Sequence, residues 1–400
     1  MQFTLRNSLL ATAAALCLTG AAGAQEIDGD AFATRLQSLM AESGTPFTYD
    51  SVNVEGQNIV MEGVSIGEGD NVIPIGTSRF ENVSGSNAEG WTVERNTVDD
   101  FSIEAEGTTT SVGGLVAENV TIAPEGAAAP EAGAAVQTPN GAIPVWFERL
   151  VMGSLAIESD GHQAFVLNDM NVSNEVDGSA FAFDLEVASF TATPAPAPEG
   201  QAPSPATQMG YEEITGDLSA EGLWNTETGE LALTPLQVNL EDVANLTFAY
   251  NVTGYTPSFI EQLSAIQQQM AANPDAQGAS GMAMLGLMSQ LNLVSAELRV
   301  EDQSITNRLL DRQAEENGQT REQVIDQLLG MLPVALGYLN NPQFQEEVTE
   351  AVSNYLRDPQ SITAQIAPSQ PVPVTQIIGA ATGAPQTLPA ILSMTVTSND

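Results

Sequence analysis

The string Gly63-Val64-Ser65-Ile66-Gly67 has the G-x-S-x-G spacing of a nucleophile elbow, which lifts a serine Oγ onto a sharp strand-to-helix turn. Such a serine needs a base, and His162 is the only histidine in the chain. His162 follows the turn signal Asp160-Gly161, which predicts a solvated imidazole rather than one held for catalysis. After Gly67 comes Glu68-Gly69-Asp70-Asn71 and a second strand-like run, not a helix. The serine is therefore expected on a strand entering a turn. Gly67 and Gly69 could open a G-x-G-x-x-G dinucleotide fingerprint, but Val72 stands at the third glycine and no βαβ pattern surrounds it.

Other chemistry is removed by composition. The chain has no lysine, so a P-loop and a Schiff-base enzyme are both excluded. Its one cysteine, Cys17, lies in the N-terminal leader-like segment, and one histidine without further cysteine argues against zinc. Calcium needs only oxygens, and Asp169, Asn171, Ser173, Glu175 and Asp177 supply them in alternation. That stretch lacks the glycine and terminal glutamate of an EF-hand loop, and a solvated strand edge explains it as well. With 51 acids, some carboxylate pair will always look suited to glycoside hydrolysis, so none is singled out. No catalytic residue, metal ligand or cofactor is assigned.

The remaining candidates are apolar. Phe181, Phe183, Leu185 and Val187 alternate with Ala182, Asp184, Glu186 and Ala188, so one strand face carries all four. Met282, Met284, Leu285 and Met288 fall on a methionine-rich helix, and methionine surfaces adapt readily to apolar ligands. A core role for that helix competes with a ligand role. The two sets are expected to line the sheet side and the helix side of one apolar site.

The net charge of −41 comes from ten arginines against 51 acids. It favours solubility, and it makes nucleic acid and anionic membrane surfaces poor partners. Residues 1–24 read as a secretory signal peptide: Arg6, an apolar Leu9–Leu18 core, and Ala22-Gly23-Ala24 before cleavage at Gln25. This predicts a periplasmic or secreted protein. The longest later apolar run, Leu328–Leu339, contains Pro333 and is too short to span a membrane, so no transmembrane segment is expected in the mature chain. Asn-x-Ser/Thr strings recur at Asn82, Asn119, Asn171, Asn245 and Asn251. Strands leaving turns account for them better than glycosylation does.

Stepping along the chain, residues 25–44 predict a helix with Phe32, Leu36, Leu39 and Met40 on one stripe and Asp28 or Asp30 as its cap. Residues 45–256 then read in period two, with glycine-rich turns between short strands, which predicts an antiparallel meander. Leu218–Trp224 and Leu231–Leu233 predict one hairpin, and Leu236–Leu240 and Leu246–Tyr250 a second. Proline- and alanine-rich stretches at 123–142 and 192–208 are expected as loops without a core. Residues 257–400 predict a helix-rich region. Thr256-Pro257, the Thr320–Gln323 capping box and Asn341-Pro342 start its helices, and strands recur at 295–300, 362–366 and 392–396.

From Leu218 to Gly254 the chain reads Leu-Ser-Ala-Glu-Gly-Leu-Trp, then Gly-Glu-Leu-Ala-Leu-Thr, Val-Asn-Leu-Glu-Asp and Leu-Thr-Phe-Ala-Tyr-Asn-Val-Thr-Gly. This resembles the hairpin ladders of AsmA-like proteins and of related proteobacterial periplasmic proteins. The resemblance implies a bacterial envelope protein whose sheet forms an apolar groove for lipid. The chain departs from the family in its helical C-terminal part and in lacking a retained anchor, and no family residues carry over.

The expected fold is thus α+β, a curved antiparallel sheet followed by a helix-rich segment that packs on it or continues it. The expected role is non-enzymatic binding or assembly in the envelope, with a lipid or other apolar ligand or an envelope protein as partner. A carboxylate-dependent secreted hydrolase, with or without calcium, and a structural or cell-surface interaction protein remain as alternatives.

Overall fold

The computed structural model describes residues 27–42, 46–67, 72–105, 107–126, 145–197, 202–272 and 277–400. The leader-like segment and most of the 123–142 stretch lie outside these residues. The described strands join into one antiparallel sheet. Its first part holds β1 (Phe47–Thr48), β2 (Ser51–Glu55), β3 (Asn58–Ile66), β4 (Ile73–Glu81), β5 (Ser84–Ser86), β6 (Gly90–Val98), β7 (Phe101–Ala105), β8 (Thr108–Gly113), β9 (Val116–Ile122) and β10 (Val145–Trp146). Longer strands follow: β11 (Arg149–Ser159), β12 (His162–Asp177), β13 (Ala180–Ala192), β14 (Ile214–Asn225), β15 (Glu230–Leu240), β16 (Ala244–Thr253) and β17 (Asn292–Asp302). The last are β18 (Ser361–Ile366), β19 (Val372–Pro373) and β20 (Met394–Ser398). The helices are α1 (Gly29–Glu42), α2 (Pro205–Gln208), α3 (Pro257–Ala272), α4 (Gln277–Met288), α5 (Ile305–Asn317), α6 (Arg321–Ala335), α7 (Pro342–Arg357), α8 (Val374–Gly383) and α9 (Leu388–Ile391).

The N-terminal end is closed by α1. Asp28 caps it, its carboxylate accepting from the Ala31 amide at 2.9 Å. Phe32 is fully buried and meets Phe80 and Trp91 edge-on at 5.0 and 5.5 Å between ring centroids. Ile59, Met61, Val83, Val93 and Ile122 complete this core. Arg35, buried beside it, donates to the carbonyls of Ala123 and Pro124 at 2.9 and 2.7 Å. Those two bonds satisfy a charge that would otherwise be costly to bury.

From β11 onward each strand pairs with the next, β11 through β18, and β20 pairs with β18. Register shifts step across this region at Val187/Phe190, Ala220/Gly222, Leu233/Leu236 and Asn251/Val252. Such bulges bend strands and raise their twist, which accounts for a curved sheet. Helices α5, α6 and α7 pack through Leu310, Ala314, Val324, Ile325 and Leu356. The capping box at Thr320 and Gln323 forms as predicted, and Gly318 ends α5 at φ +62°, where a side chain would be strained. Helix α7 lies on β20 and β18, and Glu347 accepts from the Val396 amide at 3.3 Å, blunting the sheet edge.

Several expectations change. The strands expected at 295–300 and 362–366 form as β17 and β18, and with β19 and β20 they continue the sheet to Ser398, so the helices are insertions between strands rather than a segment that follows the sheet. The two predicted hairpins share one strand, β15, with the register shift between Leu233 and Leu236 inside it. Within 192–208, α2 forms with Ser204 as its cap, and Met209 joins a small core around Tyr211, Val243 and Ala244. His162 begins β12, partly buried, with Nε2 3.1 Å from the Thr193 carbonyl.

Candidate ligand-binding face

Directly opposed residues of an antiparallel sheet point to the same side, so register traces each face. One row runs Leu150, Val172, Leu185, Ala220, Leu236, Phe248, Leu298, Ala364, Val396 across nine strands. A parallel row runs Met152, Met170, Val187, Leu218, Val238, Leu246, Val300, Ile362. The row between them points the other way and, past Val151 on β11, is polar: Asn171, Glu186, Ser219, Gln237, Thr247, Arg299, Thr363, Thr397. Alternation over so many strands makes one face apolar and the other hydrophilic.

The apolar face is only partly covered. Phe183 is 41% exposed and Leu298 45%. Val187 and Ala220 are buried, but Leu185, Leu236 and Phe248 are half-buried. A Cβ built on Gly222 would fall 2.0 Å from Cε1 of Phe183, so this ring packs directly against the glycine. Gly222 is thus a seat for Phe183. Both ends of the strands are finished differently. At one, Trp146, Phe181, Trp224, Tyr255 and Phe259 form an aromatic chain with successive centroid distances of 6.0, 5.8, 6.4 and 5.4 Å. At the other, Tyr211 packs with Val243 and Ala244 against Leu240, Val300 and Ile305. Arg308 lies 4.2 Å over the Tyr211 ring, a cation–π contact, and Ser304 shares a 2.7 Å hydrogen bond with its hydroxyl.

Of the eight residues expected at one site, the structure aligns the β13 four, Phe181, Phe183, Leu185 and Val187, on this face. It seats the helix four elsewhere. Helix α4 packs on α3 and α8, and β14, β15 and β16 separate β13 from β17, which follows α4. Met282 and Leu285 are exposed, while Met284 and Met288 are half-buried. The expected sheet-to-helix pocket is thus not assembled. Leu236, Phe248 and Leu298 join the β13 residues instead, and only register could have found them.

A concavity of about 1540 Å³ opens beside the β12–β13 turn. Phe183, Trp146, Ala182 and Leu223 reach its wall, beside the carboxylates of Glu148, Glu175, Asp184 and Glu221 and the guanidinium of Arg149. Among the described residues no aspartate or glutamate is buried, and no three His, Cys, Asp or Glu side chains converge as a metal site. Ser65 sits within β3 opposite Thr48 and Pro74, so its G-x-S-x-G string makes no elbow. Arg79 hydrogen-bonds Asp99 at 2.5 Å and holds its carboxyl below the ordinary 3.8. Burial pushes the Tyr355 hydroxyl above its ordinary 10.0, helped by the charge of Asp302. Neither group lies on the apolar face rows.

A family model described as an uncharacterized protein matches residues 237–399. The match begins inside β15 and takes in both the later strands and helices α3 to α9, so it treats sheet and helices as one unit. No curated protein matches the chain.

Proposed function

We propose that this chain is a non-enzymatic binding protein of the bacterial envelope that holds a lipid or another apolar ligand against the open apolar face of its sheet. The observation that carries this reading is the pair of aligned apolar rows across β11 to β18, left half-exposed and capped at both strand ends. Soluble proteins seldom leave an apolar surface of this extent bare, and such surfaces mark binding sites. The resemblance of Leu218–Gly254 to AsmA-like hairpin ladders and the leader-like N-terminus support a periplasmic or secreted setting. The surrounding carboxylates would repel a fatty acid or an anionic head group, so the ligand is neutral or zwitterionic.

The test is native mass spectrometry on protein purified without detergent, followed by solvent extraction and lipid analysis. A stoichiometric neutral or zwitterionic lipid that is lost in Leu236→Arg/Phe248→Arg is the expected result. A clean apo mass, together with failure of the protein to take up a long-chain diacylglycerol probe, sinks the reading.

A further inference from the structure

Charge is unevenly spread along this acidic chain. No charged residue occurs between Asp326 and Glu346, between Asp358 and Asp400, or between Asp275 and Glu297. The structure draws these three stretches together. Helix α4 packs on α8, and the turn after α6 packs on the turn after α8. The Tyr338 hydroxyl donates to the Ala381 carbonyl, and Asn341 donates to the Gln386 carbonyl at 2.9 Å. On these elements large apolar side chains stand in solvent: Met282 is 77% exposed, Leu285 50%, Met331 60%, Val334 84% and Tyr338 65%. Helix α4 carries apolar residues around its circumference, a pattern that normally marks a fully buried helix, yet of its large ones only Leu287 is buried.

We propose that this uncharged helical end is the surface by which the protein docks on a lipid bilayer whose head groups are zwitterionic. Two observations select this occupant. The first is charge. The end has no lysine or arginine to attract anionic lipid, and the rest of the molecule repels an anionic surface, so a neutral interface is the one it can approach closely. Its polar residues, Gln290, Asn340, Asn341 and Gln386, are amides that suit a head-group layer without requiring counter-charge. The second is distribution. The protruding side chains are few and stand on three separate elements, whereas a stable protein interface buries a continuous patch of roughly 800 Å² per partner. Side chains of this kind insert individually into the head-group and acyl boundary instead. This inference does not depend on a ligand occupying the sheet face.

The test is vesicle flotation of the full chain with phosphatidylcholine vesicles, and with the same vesicles carrying one-third phosphatidylglycerol. Binding to phosphatidylcholine is expected, weakened by phosphatidylglycerol and partly restored by salt. Met282→Gln/Leu285→Gln and Met331→Gln/Val334→Gln should each reduce binding at least ~10-fold. These residues are exposed, and unchanged far-UV circular dichroism verifies that the fold survives. Val54→Thr, an exposed apolar residue on β2, should bind as the parent does. Absence of binding to phosphatidylcholine overturns the proposal. So does an equal loss in Val54→Thr, or light scattering that shows a dimer which the glutamine variants convert to monomer. Because lipid extraction reads the sheet face and flotation reads the helical end, either reading can fail while the other stands.

Discussion

The closed N-terminal end and the open sheet from β11 to β17 are built from the same alternating strands, yet only one of them makes a conventional core. Under α1, Phe32, Ile59, Met61, Trp91 and Val93 are sealed from water. On β13 to β17 the equivalent positions, Leu185, Leu236, Phe248 and Leu298, stay half-buried or exposed. The difference lies in the cover and not in the strand. Alternation decides which face is apolar, and what packs on that face decides whether it is dry.

The comparison can be tested by substitution. Phe32→Ala should cost about 3–5 kcal/mol, because it opens a cavity beneath α1 that its neighbours cannot fill. Urea denaturation followed by tryptophan fluorescence would read this loss, and a cost below that of an exposed phenylalanine would remove the distinction between the two ends. On the open face, Leu298→Arg and Phe183→Arg should lower binding of an apolar dye several-fold while shifting the melting temperature little, since both positions already meet water. Phe183→Ala should cost only about 1 kcal/mol in the ligand-free protein. Gly222→Ala should reproduce part of that cost by forcing the Phe183 ring off its seat, seen as altered ring shifts in nuclear magnetic resonance.

The smallest effect is electrostatic and belongs to the closed end. Asp99 has a folded pKa below its ordinary 3.8, so it adds stability above that pH, and this is lost as the pH falls through the lowered value. The Arg79 and Asp99 side chains are 47% and 42% exposed, so solvent screening holds the contribution below about 1 kcal/mol. Asp99→Asn should flatten this part of the acid unfolding curve. An unchanged curve would assign acid sensitivity to other carboxylates.

Much of the architecture was legible because alternation is a local signal. The β13 run, the Thr320 capping box and the Asn341-Pro342 start each depend on residues a few positions apart, and each forms. What was not legible depends on distant partners. Nothing local says that Ser361–Ile366 pairs with β17 across helices α5 to α7, so alternation marks the strand but not its partner. Nor does a methionine-rich helix declare its neighbour. Apolar character alone pairs Met282 with Phe183, whereas the fold carries α4 to α8. The uncharged character of the C-terminal stretches was visible in the sequence, but its meaning required knowing that they meet.

Pairing between sequence neighbours from β11 to β16 has a consequence for how the molecule comes into being. Each of these strands can zip onto the one before it as soon as it emerges, with no wait for a distant partner, which keeps loop-closure costs low and assembly fast. The α1-covered end, made first, offers a finished template to the growing edge. Adding or deleting a hairpin in that run would widen or narrow the apolar face without redrawing its topology. The width of that face is thus a property that evolution can adjust in units of two strands.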